Sequence, residues 1–200
     1  MADLGDVPRK HASLSGPAQL RAMADDYILA ARNKIASAAR HLAALNELRA
    51  GDEAERPEIQ DAFEDIISRG FSAGDQLAEA VALKAGLRIR NNSPEKLLKR
   101  LAGESTPARA PFESCIQYLR DWTDEAIVRD ARARRNSAVH HHYEKRPYKP
   151  KGTWMLDEVT VGDGPSPYRG PLDVHSYCAT YVDRLALLER AARALERATS

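Results

Sequence analysis

Between Leu20 and Leu48 the residues Leu20, Met23, Tyr27, Ile28, Ala31, Ile35, Ala38, Leu42, Leu45 and Leu48 recur at steps of three and four. Only a helix lines such positions up on one side, so the spacing predicts one long amphipathic helix, with Pro17 at an early position and an end near Gly51. An apolar stripe of that length must be buried against other elements, and the remaining sequence offers more helices.

A polar turn, GDEAERP, leads into a second helix from about Glu58, with Ile59, Phe63, Ile66, Ile67, Phe71, Leu77, Ala78 and Val81 on its inner face. Gly70 and Gly74 sit one turn apart within it, which suits a close helix contact better than a slight break. NNSPEKLLKRLAG reads as a short capped helix, with Ser93 as N-cap, Pro94 in the first turn and Gly103 as the stop. Phe112, Cys115, Ile116, Leu119, Trp122, Ala126 and Val128 mark another long helix, from Phe112 to about His140, whose distal half is basic.

Five prolines and four glycines between 147 and 171 exclude a continuous helix there, and WMLDEVTV within that stretch suits a short strand, a hairpin arm or an irregular loop. Asp173 can cap a final helix running to about Ala198 through Tyr177, Tyr181, Leu185, Leu188 and Ala192. The expected fold is all-α: a bundle of four main helices plus a short one, with a Pro-rich loop or small hairpin inserted before the last helix. Residues 1–14 read as a flexible N-terminal arm, and 15–200 as a single domain.

An apolar content of 43% over 200 residues is enough for one buried core. There is no run of about 18 apolar residues to span a bilayer, and the N-terminus lacks the apolar region of a signal peptide, so a cytoplasmic location without membrane contact is expected. Cys115 and Cys178 lie far apart with no C-x-x-C pattern, and read as small buried hydrophobes. No phosphate-binding glycine loop and no G-x-S-x-G turn occurs.

The net charge is +1, yet the eight cations Arg129, Arg132, Arg134, Arg135, Lys145, Arg146, Lys149 and Lys151 face only Asp130 and Glu144 between 129 and 151. That segment is therefore +6 and the remainder −5. Such a concentration suits a polyanion-binding surface, for which Arg132, Arg134, Lys145, Arg146 and Lys149 are the candidates; an ordinary solvated basic helix has the same composition.

Inside that segment stands RRNSAVHHHY, Arg134 to Tyr143. Three consecutive histidines invite a metal, but on a helix they fan over about 200° and cannot share one ion. No histidine has Glu three positions before it, as a di-iron bundle requires, so no metal site and no cofactor are expected. A histidine that titrates near neutrality, combined with a permanently charged arginine, supplies the minimum for cleaving RNA without metal. A plain surface pair, or a scaffold in which these groups pair with Asp121 or Asp124, is the bland counterpart.

Arg135, Asn136 and then His140, on the distal half of a late helix in an all-α chain, resemble the R-x(4–6)-H motif of the HEPN domains. Those domains are small helical bundles, commonly dimeric, and many are metal-independent endoribonucleases of toxin–antitoxin, antiviral and RNA-processing systems. The resemblance implies that Arg135 and His140 form the catalytic pair with Asn136 orienting them, and that the motifs of two subunits meet in one cleft. His140 fits the shortest spacing and is preferred. His142, seven residues on, would lie closest to Arg135 on a straight helix and comes second.

Tyr143 follows His140 by three residues, whereas one toxin subgroup has R-x(4)-H-x-Y. That departure leaves open whether the chain belongs with the toxins whose tyrosine a nucleotidyltransferase antitoxin modifies. The resemblance thus implies an endoribonuclease with RNA as substrate, a homodimer, and a cognate antitoxin or nucleotidyltransferase as further partner. The other expectation is a non-catalytic HEPN-like module that binds nucleic acid, nucleotide or a partner protein. The insertion, with Lys149, Lys151, Trp154, Tyr168 and Arg169, either stacks on bases beside the site or packs back on the bundle.

Overall fold

The computed structural model describes residues 16–50, 56–87, 93–102, 110–140, 154–156, 160–161, 164–165, 168 and 172–198, with the side chains of 17, 49, 50, 56, 57, 137–140, 160, 161, 164 and 165 outside the description. The fold is all-α. Six helices are present among these residues: α1 (Pro17–Ala50), α2 (Arg56–Lys84), α3 (Pro94–Ala102), α4 (Glu113–Asp124), α5 (Ala126–His140) and α6 (Val174–Arg197), with a 3₁₀ turn at Ala110–Phe112 before α4.

α1 and α2 form a long hairpin, and α6 lies against α1, α2 and α4. Along the stripe that defines α1, Ile28, Ala31, Ala38 and Leu45 are at 2% exposure or less, and Tyr27, Ile35, Leu42 and Leu48 pack half-buried against the core. Buried side chains from all six helices form one contiguous apolar cluster. Each large aliphatic in it, such as Leu77, Leu119 or Leu185, contributes about 1.5–3 kcal/mol relative to exposure. Around its edge Arg32 of α1 grips Glu196 of α6 through two hydrogen bonds of 2.8 and 3.0 Å, and Lys84 of α2 meets Asp25 of α1 at 2.8 Å. Among the described residues no helix is long and apolar enough to cross a membrane.

α2 runs unbroken through Gly70 and Gly74, which serve as points of close contact. A methyl group at Gly70 would collide with the Tyr181 hydroxyl of α6, and one at Gly74 would stand 2.9 Å from the Trp122 ring of α4. Ser93 and Asp173 open their helices as the sequence suggests. The Ser93 carbonyl accepts from the Leu97 amide at 3.0 Å, and Asp173 accepts from the Ser176 amide at 2.7 Å.

The helix expected over Phe112 to His140 is two helices. Glu125 adopts an extended backbone (φ −60°, ψ 130°) between them; its amide donates to the Trp122 carbonyl, and its carbonyl accepts from Val128 and Arg129 at 3.0 and 3.1 Å. One residue thus ends α4 and begins α5. Its carboxylate is 3.5 Å from Arg184 of α6, which holds the joint against the bundle.

The Pro-rich insertion contains two small antiparallel pairs. β1 (Met155–Leu156) pairs with β4 (Leu172–Asp173), and β2 (Thr160–Val161) with β3 (Gly164–Pro165). Trp154 and Leu156 are buried in the common core, so this part of the insertion packs back on the bundle. β2 touches α5, which brings this part of the insertion to the basic helix. Both cysteines are free and buried, and burial pushes the Cys115 thiol up to about 12. The N-terminal arm, residues 1–14, lies outside the described residues.

Candidate functional site

The rotation of α5 decides what its arginines can do. Ile127, Val128, Asp130, Ala131 and Arg134 are buried, whereas Arg129, Arg135 and Asn136 are exposed and Arg132 lies between. Of the adjacent residues Arg134 and Arg135, the first is therefore turned into the bundle and the second out of it.

Arg134 occupies a position in the buried stripe and is only 5% exposed. A charge at such depth requires a partner, and Asp130, one turn back, supplies it: Arg134 Nε donates to Asp130 Oδ2 at 2.7 Å. The Tyr177 hydroxyl of α6 donates to the same oxygen at 2.6 Å, and the Arg134 guanidinium lies 5.2 Å from the Tyr177 ring centroid. Tyr168 of the insertion meets Tyr177 edge-on at 5.9 Å. Burial first, and then the neighbouring Asp130 charge, push the Tyr177 hydroxyl far above its ordinary range. This group fastens α5 to α6. Arg134, one of the candidates for contact with a polyanion, is thus turned inward onto Asp130.

Arg132 and Arg135, one turn apart, both lie over Phe71 of α2, each with its guanidinium carbon 5.4 Å from the ring centroid. The ring is anchored by Trp122 at 5.7 Å and Tyr181 at 6.1 Å, and Tyr181 in turn donates to the Ile67 carbonyl at 3.2 Å. Arg132 is ion-paired with Glu95 of α3. Arg135 has no carboxylate at salt-bridge distance among the described residues and keeps its charge available at the surface.

One residue that sequence reasoning missed completes this face. Asp75 follows Phe71 by four positions, and so stands one turn further along the same side of α2. Its carboxyl is pushed up to about 6, chiefly by burial and further by Glu95, while Arg135, Arg132 and Lys96 work in the opposite direction. Among the described residues it accepts no hydrogen bond. The available signal was an acid standing in register with an apolar stripe, since Ile67, Phe71 and Asp75 are four apart.

Of the residues singled out from the sequence, Arg135 and Asn136 are exposed side by side, and Arg132 is drawn to Phe71 and Glu95. His140 is the last residue of α5, with its side chain outside the description. His142, Lys145, Arg146 and Lys149 lie outside the described residues. Asp121 accepts from Gln117 and does not take up an arginine of α5.

His175 is buried at the start of α6, where Nε2 donates to the Leu45 carbonyl at 3.1 Å. Among the described residues no group of three or more His, Cys, Asp or Glu side chains is arranged to hold a metal ion. The fold and this face together define a helical bundle in which arginines of the basic helix α5 lie over an aromatic ring of α2. No family model, curated protein or solved structure matches the chain.

Proposed function

We propose that the protein is a HEPN-like, metal-independent endoribonuclease that cleaves single-stranded or looped RNA by 2′-hydroxyl attack and leaves a 2′,3′-cyclic phosphate. Arg135 neutralises the charge that grows on the phosphate, His140 transfers a proton, and Asn136 orients them, with His142 as the second choice of histidine. Two copies bring their motifs to one cleft, in a cytoplasmic toxin or phage-defence setting with a cognate antitoxin or nucleotidyltransferase as partner. Lys145, Arg146 and Lys149 extend the positive surface along the RNA backbone.

The observation that carries this reading is the split between neighbouring arginines. Arg134 is consumed inside the bundle, whereas Arg135 and Asn136 are presented together at the surface on the helix that ends at His140. An arginine that lies on an aromatic ring and has no carboxylate at salt-bridge distance among the described residues retains donors for phosphate oxygens.

The test is cleavage of RNA by wild type, Arg135→Ala and His140→Ala in excess chelator. Each substitution is expected to lower the rate by about 100-fold or more. Equal cleavage by all three proteins would remove these residues from the mechanism, and loss of wild-type activity in chelator would point to a metal. RNA binding that survives His140→Ala and weakens steeply with salt, without any cleavage, would favour the non-catalytic module instead.

A further inference from the structure

Arg132 and Arg135 stand one turn apart on α5 and converge on one point, since each guanidinium carbon is 5.4 Å from the centre of the Phe71 ring. Phe71 is 4% exposed and is flanked by Trp122 at 5.7 Å and Tyr181 at 6.1 Å, so the platform beneath both arginines is fixed by the core. Two permanent cations held this close repel each other, and a shared aromatic ring offsets little of that repulsion. Among the described residues one carboxylate stands at ion-pair distance from them: Glu95 of α3 pairs with Arg132. Arg135 is left without such a partner.

Glu95 is the odd residue of its own helix. It is the only acid of α3, whose other charged residues, Lys96, Lys99 and Arg100, are all exposed. Because the ion pair joins α3 to α5, Glu95 interrupts what its neighbours would otherwise make, a basic surface shared by two helices. The pair is also open to competition. The side chains of Arg132 and Glu95 are 29% and 41% exposed, and an ion pair at that depth is weakened by solvent. Phosphate and carboxylate present the same pair of acceptor oxygens to an arginine fork, so a phosphodiester can take the place of Glu95.

Resting on the nucleic-acid part of the reading above and not on cleavage, we propose that Arg132 is a second phosphate-binding residue beside Arg135, and that Glu95 competes with the phosphate for it. Single-stranded RNA bound on this face places phosphate oxygens on both guanidiniums, with Phe71 keeping the two in position. The displaced Glu95 has Lys99 four residues on, the favoured spacing for a Glu to Lys pair along a helix. A ligand that engages Arg135 at the same time displaces Glu95 readily, whereas a lone phosphate gains little by doing so. Glu95 thereby selects a chain of phosphates over small anions.

The experiment measures, by fluorescence anisotropy, the affinity of a mixed-sequence 2′-O-methyl RNA oligonucleotide, which cannot be cleaved by 2′-hydroxyl attack. Wild type, Glu95→Gln, Arg132→Ala and the double variant are compared, each checked for native helicity by circular dichroism. Glu95→Gln is expected to bind about 3- to 5-fold more tightly, the range set by the strength of a half-exposed ion pair. Arg132→Ala is expected to bind more weakly, with a salt slope shallower by about 0.7, the value of one phosphate contact on a single strand. With Arg132 replaced, Glu95→Gln should change nothing. A gain in affinity is a readout that damage to the fold does not produce.

Wild-type binding that Glu95→Gln leaves unchanged or weakens would overturn the competition and leave the nucleic-acid reading intact. An equal gain in the Arg132→Ala background would make Glu95 a diffuse negative charge instead of a competitor for that arginine, and would also overturn it. A polyglutamate peptide that gains as much as the oligonucleotide would assign the face to an acidic protein partner, against the proposal. Absence of binding by both wild type and Glu95→Gln would take both readings away.

Discussion

Arg134 and Arg135 are neighbours in the chain with the same side chain, and α5 places them in opposite circumstances. Arg134 is buried, has Asp130 at 2.7 Å, and shares that carboxylate with a tyrosine of another helix. Arg135 is exposed, lies on the Phe71 ring, and shares its surroundings with a carboxyl that accepts no hydrogen bond among the described residues. The inner cluster pairs a buried charge with a buried carboxylate, whereas the outer one holds a half-buried carboxyl whose burial opposes its ionisation. The first pattern holds helices together, and the second is the one on which the proposed site rests.

If this contrast is right, the largest effect on stability comes from the inner cluster. Asp130→Ala leaves Arg134 charged and buried without its partner, and should lower unfolding free energy by about 3–5 kcal/mol in chemical denaturation. A loss under 1 kcal/mol would mean that water reaches Arg134 and that the two faces are alike. Tyr177→Phe removes one donor from Asp130 but keeps the ring under Arg134. It should cost less, about 1–3 kcal/mol, with no change in the charge of the region.

The two clusters also differ in how much of them could be read from the sequence. Spacing revealed the stripes of α1, α2 and α6, because a long apolar periodicity has one geometric solution. The joint at Glu125 was not visible, since the apolar spacing continues across it with neither Gly nor Pro to mark a break, and only the extended backbone of that residue interrupts it. That joint resets the phase of α5. A register read from Phe112 onward could not tell which arginine faces inward, whereas Ile127, Ala131 and Arg134, in steps of four and three, align once α5 is taken alone. Asp75 went unnoticed for a different reason: an acid in a helix otherwise rich in acids is conspicuous only when its neighbours in space are known.

The outer cluster should respond with the opposite sign. Burial raises the folded-state value of Asp75 to about 6 from an ordinary 3.8, so the native protein binds this proton more tightly than the unfolded chain. Below about pH 4 both states are protonated and the group contributes its full share of stability. Between about 4 and 6 the unfolded chain has released the proton and that stability is lost; above 6 the deficit is constant. Asp75→Asn should therefore stabilise the protein at pH 8, by on the order of 1 kcal/mol after allowance for screening at its solvent-facing edge, and give no gain near pH 4. Stability measured at the two pH values checks this, and a destabilised variant at pH 8 would place Asp75 with the inner cluster.

The smallest effect is the most discriminating. Arg135→Ala loses an exposed contact with Phe71 that is worth about 0.5–1 kcal/mol, and little else that holds the fold. It also removes the cation that favours ionised Asp75, so the remaining carboxyl should titrate above 6. The destabilisation should then be larger at pH 8, where Asp75 is charged, than near pH 4, where it is neutral. In Asp75→Asn that pH dependence has no source, and Arg135→Ala should cost the same at both values. A double-mutant cycle at the two pH values reads this coupling directly. A pH-independent cost in the wild-type background would mean that Arg135 and Asp75 do not sense each other, and the outer face would be two separate surface groups.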